Sequence, residues 1–385
     1  MIETVPLGNV VGVSAGQPAP KSSDFSDYGH PFIRAGSVER LLNGSTESEC
    51  EKITDETANR LRLKLHPRDT VVFAKSGMSA KIGRVYRLRE PAYVASHLAT
   101  LVPTGEYDPS FLTYWLRQFP PSHLIKDEAY PSIRVSDIAE LRVPLLPVRE
   151  QHRIATILDK AYSIRTKRQQ ALNLANDVLK AEFRQLLRED HWPTAELSDV
   201  VAEGTIVTYG IVQAGAEYTG GVPYIRTGDI KDGKIVVDGL RRTAPEIAAK
   251  FSRSTVRTGD IVMSIRATVG TTAIVPRELD GANLTQGTAR ISPGSRVTRE
   301  YLLWYLRSSV CQNWIETQVK GATFREITLT RLREMEVPLP PMERQREFSR
   351  FAQKLDSVVR TLEEGLAATS DLFASLSQRA FRGEL

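Results

Sequence analysis

The segments of this chain whose residue types could do chemistry each read more simply as structure. Gly228–Ile235 spells GDIKDGKI, which fits the phosphate-cradling pattern G-x-x-x-x-G-K up to its lysine. The next position needs Ser or Thr to meet magnesium, yet Ile235 stands there and VVDGL follows in place of a helix. Asp232-Gly233 fits better as the turn between two strands. Asp108–Phe111, DPSF, approaches the amine-binding pattern Asp-Pro-Pro-Tyr but lacks the second proline. Asp108 as helix N-cap and Pro109 at the first helical position account for it without a cofactor. The histidines, at 30, 66, 97, 123, 152 and 191, are scattered without zinc-ligand spacing. No nuclease-type Pro-Asp…Asp/Glu-x-Lys arrangement and no Gly-rich loop after a strand appears. The expectation is a chain without cofactor or metal, whose chemistry comes from partners.

The elements that would position any site come next. At 385 residues the chain exceeds one ordinary domain. Hydrophobic residues make up 41% and charged residues 25%, the balance of a globular protein. No apolar run reaches a membrane span, and Met1–Val10 does not read as a signal peptide. Cys50 and Cys311 stand far apart, which suits a reducing cytoplasm. The net charge of +5 is permissive of a polyanionic partner and too mild to establish one.

The chain repeats itself. VPLGNVV at Val5–Val11 has a partner in AELSDVV at Ala195–Val201, and HPFIRAGSV at His30–Val38 in VPYIRTGDI at Val222–Ile230. RDTVVFAKS at Arg68–Ser76 matches GDIVMSIRA at Gly259–Ala267. The segment ending FLTYWLR at Arg117 matches the one ending YLLWYLR at Arg307. IRVSDIAELRVPLLP at Ile133–Pro147 matches ITLTRLREMEVPLPP at Ile327–Pro341. The blocks keep their order at an offset of about 190 residues, so each repeat is half the chain, too long for a solenoid unit. Each half reads as a mixed α/β region, a short helix with aromatic clusters (Phe111, Tyr114, Trp115; Tyr301, Trp304, Tyr305) and a proline hinge. Helical spacing assigns those aromatics to the core.

After each hinge the chain turns heptad. Phe348, Phe351, Leu355, Val358 and Leu362 step by threes and fours and continue to Leu376, with a flanking line Ala352, Val359, Leu366, Phe373 and Ala380. Ile154, Ile157, Ala161 and Ile164 keep the same rhythm, flanked by Leu158, Leu172, Leu179 and Leu186 and interrupted by Arg165 and Arg168. These nine seam positions, 154, 157, 161, 164, 348, 351, 355, 358 and 362, are predicted to pack one helix on the other. Arg165, Lys167 and Arg168 would face a partner, DNA or solvent. A helix of about 40 residues spans roughly 60 Å and buries its stripe poorly on one small domain. The predicted fold class is therefore α+β, with two mixed α/β domains joined by an antiparallel pair of long coiled-coil helices. The expected boundaries are 1–147, 148–191, 192–341 and 342–385.

These residues resemble the specificity subunits of type I restriction–modification systems. VPLPPMERQREFSRFAQKLDSVV with the terminal AFRGEL is similar to the family's second conserved region, and VPLLPVREQHRIATILDKAYSI to its first. Both carry a Pro-x-x-x-Gln arrangement, Pro147 to Gln151 and Pro341 to Gln345. PFIRAG, PYIRTG, GDIVMSIRATVGTTAIV and RDTVVFAKSGMSAKIGRVY resemble the family's target-recognition domains. The resemblance spans essentially the whole chain. It implies a non-catalytic subunit in which each recognition domain reads one half of a bipartite double-stranded DNA site. The helices would set the gap and dock two methyltransferase subunits, with restriction (motor-nuclease) subunits in the larger complex and no membrane.

Base readout needs forked or paired donors at base edges, while Lys and Arg on phosphates supply most of the affinity. The candidates lie on turns after equivalent strands: Lys75, Ser76, Met78, Ser79, Lys81 and Arg84 in the first half, and Arg266, Thr268, Thr271 and Thr272 in the second. Gly77, Gly83 and Gly270 would let the backbone approach a duplex. Arg34 and Arg226 recur at matched places and either contact phosphates or anchor a local carboxylate. Lys126 in the first half, and Lys320, Thr323 and Arg325 in the second, precede each final strand; Tyr130 and Phe324 nearby contact DNA or belong to the core.

Overall fold

The computed structural model describes residues 3–188, 192–321 and 325–385. They form two compact units. One comprises residues 1–172 with 362–385, and the other residues 173–361. This division cuts across the linear parsing into domain, helix, domain, helix, because each half-helix belongs to the unit on which it packs. Among the described residues no helix is long and apolar enough to cross a membrane.

In the first unit, Val11–Ala15, Leu98–Pro103, Val71–Ala74 and Val85–Arg87 form one antiparallel sheet in that order. A smaller sheet pairs Lys52–Ile53 antiparallel and Tyr93–Val94 parallel to His30–Ile33. The second unit repeats this arrangement strand for strand. Thr208–Tyr209, Thr288–Ile291, Ile261–Ser264 and Thr272–Ile274 make the larger sheet. Arg242–Thr243, Val222–Ile225 and Asn283–Leu284 make the smaller one, again with one antiparallel and one parallel pair. The continuous apolar runs VVFA and IVMS are buried at every position, as central strands covered on both faces require.

Close backbone contacts recur too. A Cβ on Gly16 would lie 2.3 Å from the Ala95 carbonyl oxygen, and one on Gly210 would lie 1.9 Å from that of Leu284. Only glycine fits either crossing. His66 is buried in the first unit at 1% exposure, and burial lowers its imidazole pKa from 6.5 to about 4.

GDIKDGKI resolves as Ile230–Lys231 paired antiparallel with Lys234–Ile235, with Asp232 at φ +49° and Gly233 at φ +74°. Two successive positive φ values are the signature of a tight hairpin turn, so no phosphate loop exists there. The aromatic helices are Pro109–Gln118 and Arg299–Arg307. Asp108 accepts from the Phe111 N–H at 2.8 Å and Thr298 from the Tyr301 N–H at 3.4 Å, and Phe111 and Tyr301 are fully buried.

The long helices are Val148–Arg188 and Met342–Arg382. The Pro-x-x-x-Gln motif proves to be their joint to the domains. Gln151, 1% exposed, accepts from the Asp108 N–H at 2.8 Å and donates to the Leu146 carbonyl at 2.8 Å. Gln345 does the same with the Thr298 N–H at 3.0 Å and the Pro340 carbonyl at 2.9 Å. Each amide thus satisfies one carbonyl of the proline hinge and the N–H of the residue that caps the aromatic helix. Tyr107 and Tyr301 complete the joints, donating to the carbonyls of Pro144 and Pro338.

The helices run antiparallel: in the first unit the Tyr162 ring lies 5.9 Å from that of Phe373, and Arg168, further along, donates to the Gly365 carbonyl. The packing register departs from expectation. Ile154, Ala161 and Phe348 are buried, and Ile157, Phe351, Leu355 and Leu362 are half-buried, but Ile164 and Val358 face solvent at 47% and 48% exposure. The flanking lines share the seam: Leu158, Leu179, Leu186, Ala352 and Ala380 are buried, and Leu172, Val359, Leu366 and Phe373 are half-buried. The cause is the globular core. The side of the stripe that turns towards it, with Leu158 and Ala380 in one unit and Leu179 and Ala352 in the other, is buried by domain as well as helix. Arg165 and Arg168 therefore sit inside the seam. The Arg165 guanidinium lies 5.2 Å from the ring centroids of both Tyr162 and Phe373. Arg168 occupies the space that a Cβ at Gly365 would fill.

Candidate nucleic-acid interface

In each unit the third strand of the larger sheet ends in a loop, and a later segment is laced onto that loop by backbone hydrogen bonds. In the first unit the Ile133 N–H donates to the Lys75 carbonyl at 2.7 Å and the Gly77 N–H to that of Pro131 at 2.9 Å. In the second, the Ile327 N–H donates to the Ile265 carbonyl and the Ala267 N–H to that of Arg325, both at 3.0 Å. Ser76 bridges Ser132 and Arg266 bridges Glu326 at equivalent places. The candidates before the final strands, Lys126, Lys320 and Arg325, thus join those on the loops in one surface per unit. Thr323 and Phe324 lie outside the described residues.

The two loops differ in build. In the first unit Gly77 at φ +74° and Gly83 at φ +69° bracket a one-turn helix, Met78–Ile82. Lys81 lies 3.6 Å from Glu128, Arg84 2.6 Å from Glu39 and Lys126 3.2 Å from Asp137. Ser76 shares a 2.8 Å hydrogen bond with the His97 Nδ1, and Ser79 is half-buried. Tyr130 is 82% exposed, which settles its place outside the core. In the second unit the loop is a tight turn through Ala267 at φ +57° and Gly270 at φ +90°. Arg266 pairs with Glu326 at 2.9 Å, Arg325 pairs with Glu316, and the Thr268 carbonyl accepts from the Thr271 hydroxyl at 2.9 Å. Most of these pairs leave both partners open to solvent, where an ion pair stabilises by about 0–1 kcal/mol, so a phosphate can displace the carboxylate at little cost.

Thr272 is turned away from this surface, and Arg34 and Arg226 hold carboxylates. Thr272 is 2% exposed and lies on the strand, where its hydroxyl accepts from Arg307 Nε at 3.1 Å; it belongs to the scaffold and does not face a duplex. Arg34 stands 2.8 Å from Glu51, with its guanidinium over the rings of Phe25 and Phe32. Arg226 grips Asp229 through two bonds of 2.8 and 3.0 Å, and that carboxylate raises the arginine's pKa. Of the two roles open to this matched pair, carboxylate anchoring is the one occupied. The sequence reading missed His97 behind Ser76 and Ile82 beside Met78; the i, i+4 spacing of Met78 and Ile82 was the available signal for the second.

Comparison with known proteins agrees with this duplicated build. The chain matches the family model of the type I restriction modification DNA specificity domain over residues 2–174 and again over 189–369, and it belongs to that family. It is 27% identical to the type I restriction enzyme EcoBI specificity subunit of Escherichia coli, over 95% of this chain and 82% of that protein. It is 25% identical to a putative type I restriction enzyme MjaX specificity subunit of Methanocaldococcus jannaschii, over 86% of this chain and 81% of that one. Its fold is that of a crystal structure of a type I restriction–modification system S subunit from M. genitalium, with a TM-score of 0.62 at 14% identity over 99% and 96% of the two chains. The chain is a DNA sequence-specificity subunit with two recognition domains.

Proposed function

We propose that the first recognition domain, residues 1–147, and the second, residues 192–341, each read one half of a bipartite double-stranded DNA site. The observation that carries this reading is the recurrence of one cationic loop-and-edge surface at the same place in both repeats, while its chemistry differs between them. Lys75, Ser76, Met78, Ser79, Lys81, Arg84 and Lys126 meet the first half-site; Arg266, Thr268, Thr271, Lys320 and Arg325 meet the second. The paired helices, residues 148–191 and 342–385, fix the gap. At about 1.5 Å per helical residue and ~3.4 Å per base pair, one heptad corresponds to roughly three base pairs. The same helices dock two methyltransferase subunits, restriction subunits join in the full complex, and the assembly works in the cytoplasm. The chain contributes recognition, and transfer and cleavage belong to its partners.

Binding of the full chain to duplex DNA, followed against salt with footprinting, tests this. A protected tract in two separated blocks and a log–log salt slope of several units support it. A protein scaffold whose globular domains bind protein would leave neither, and methyl transfer from S-adenosylmethionine by the isolated chain would overturn it.

A further inference from the structure

The one-turn helix of the first unit is inside out. Ala80, its smallest residue, is buried at 1% exposure, while Met78 and Ile82, one turn apart on the same face, stand 68% and 55% exposed. Tyr130, on the segment laced against this helix, adds a third exposed apolar body. Folding gains nothing from that arrangement, since a helix placed for stability turns its large apolar side chains inward. Lysines stand on the same loop and on the segment before Tyr130, with Glu128 3.6 Å from Lys81 and Asp137 3.2 Å from Lys126. Lys75 has no ion pair or hydrogen bond to its ammonium among the described residues, and Lys81 and Lys126 hold only solvent-exposed pairs. An exposed apolar face with Lys81 on the same helical turn and Lys75 just before it suits the floor of a DNA major groove, where thymine methyl groups lie between two rows of phosphates. The groove, about 12 Å wide, admits a helix. The equivalent loop of the second unit presents Arg266, Thr268 and Thr271, and no large hydrophobic residue of that loop is exposed.

We infer that Met78, seconded by Ile82, is a specificity-determining residue that reads thymine C5-methyl groups in the half-site of the first domain, whereas the second domain reads its half-site through polar donors. This rests on the two-domain DNA-reading function proposed above. The methyl group is the recognised atom, and Lys75 and Lys81 hold the helix in the groove by the phosphates.

The test uses the full chain and a random duplex library. Bound duplexes are sequenced, and the enriched duplex is remade with uracil replacing thymine at one position at a time, which deletes only the methyl. At one or two positions in one half-site, uracil weakens binding by about three- to five-fold, the effect of one buried methyl group. Met78→Ala abolishes that discrimination, Met78→Leu retains most of it, and Thr268→Ala leaves it untouched. Thermal unfolding of the Met78 variants stays at the parental temperature, because the side chain is largely in water. An enriched site at which uracil and thymine bind alike throughout, or discrimination that persists in Met78→Ala, overturns the inference and leaves the reading function standing. Failure to enrich any sequence overturns both.

Discussion

The two units have the same joints and different tips. Gly16 and Gly210 lie against a strand carbonyl, Gln151 and Gln345 tie a hinge to a helix cap, and Tyr107 and Tyr301 close the joint behind them. Arg117 donates to the Val85 carbonyl and Arg307 to that of Thr272, locking the aromatic helix to the fourth strand in both. Beyond these points the copies diverge. One has the helix Ala35–Leu42 where the other has the hairpin at Asp232-Gly233, and one has a Met-bearing helical turn where the other has a Thr-bearing loop. Positions that hold backbone to backbone tolerate few residue types, whereas an exposed loop on a rigid sheet tolerates many. The scaffold is therefore the part that duplication preserved, and the tips are the part free to acquire separate targets.

That contrast can be broken most forcefully at the joints. Gly16→Ala and Gly210→Ala should each destabilise their own unit by about 3 kcal/mol or more, since the clash is with backbone that cannot step aside. Calorimetry showing one of them harmless would mean the two crossings are not equivalent. His66 should expose a difference between the scaffolds, because the buried, apolar Val256 occupies the corresponding place in the second repeat, its N–H donating to the Ala282 carbonyl as that of His66 donates to the Ala92 carbonyl. Its folded pKa of about 4 lies below the unfolded 6.5, so the unfolded chain binds the extra proton between those values. The first unit is thus fully stable above pH 6.5 and loses about 3 kcal/mol as the pH falls towards 4. A His66→Gln chain should lack this acid sensitivity, and an unchanged unfolding profile between pH 4 and 7 would reject the assignment.

Gln151→Leu and Gln345→Leu should each cost about 2 kcal/mol or more, the first leaving the Asp108 N–H and the Leu146 carbonyl unpaired and the second the Thr298 N–H with the Pro340 and Arg296 carbonyls. Equal losses in the two units sharpen the comparison and a large inequality breaks it. Arg266→Ala acts on a tip. It should weaken binding by about 1–2 kcal/mol and relax the footprint in one half-site only. Loss at both halves would argue against modular reading. The smallest effect belongs to Lys75→Ala, which should lower the salt slope by about one unit without changing the preferred sequence.

The scaffold was largely legible because it is written in periodicities and in repetition. Heptad spacing located the starts of both long helices, Val148 and Met342, and the paired blocks anticipated that the two halves share one fold. The register of the seam was not legible. Three apolar lines share one helical face, and which pair of lines meets depends on where the globular core lies, a tertiary fact. Ile164, Val358 and the seam-bound arginines were misplaced for that reason. At the tips the sequence placed most candidates on the loops that follow Val71–Ala74 and Ile261–Ser264, as the structure has them. It could not tell Thr272, which turns inward on a strand, from Thr271 one position before it, because a one-residue step reverses the face. Nor could it show that the segments around Pro131–Ile133 and Arg325–Ile327 are laced onto loops about 60 residues away.

The first unit takes its final piece, residues 362–385, from the far end of the chain, and Ala380 is buried in its core with Phe381 packed against Phe111 and Phe119. The second unit is one uninterrupted stretch. During synthesis the half made first must therefore wait, its core open, until residues 362–385 clear the ribosome, while the half made second can close before it. Substitutions that disrupt Ala380 or Phe381 would thus damage the amino-terminal unit.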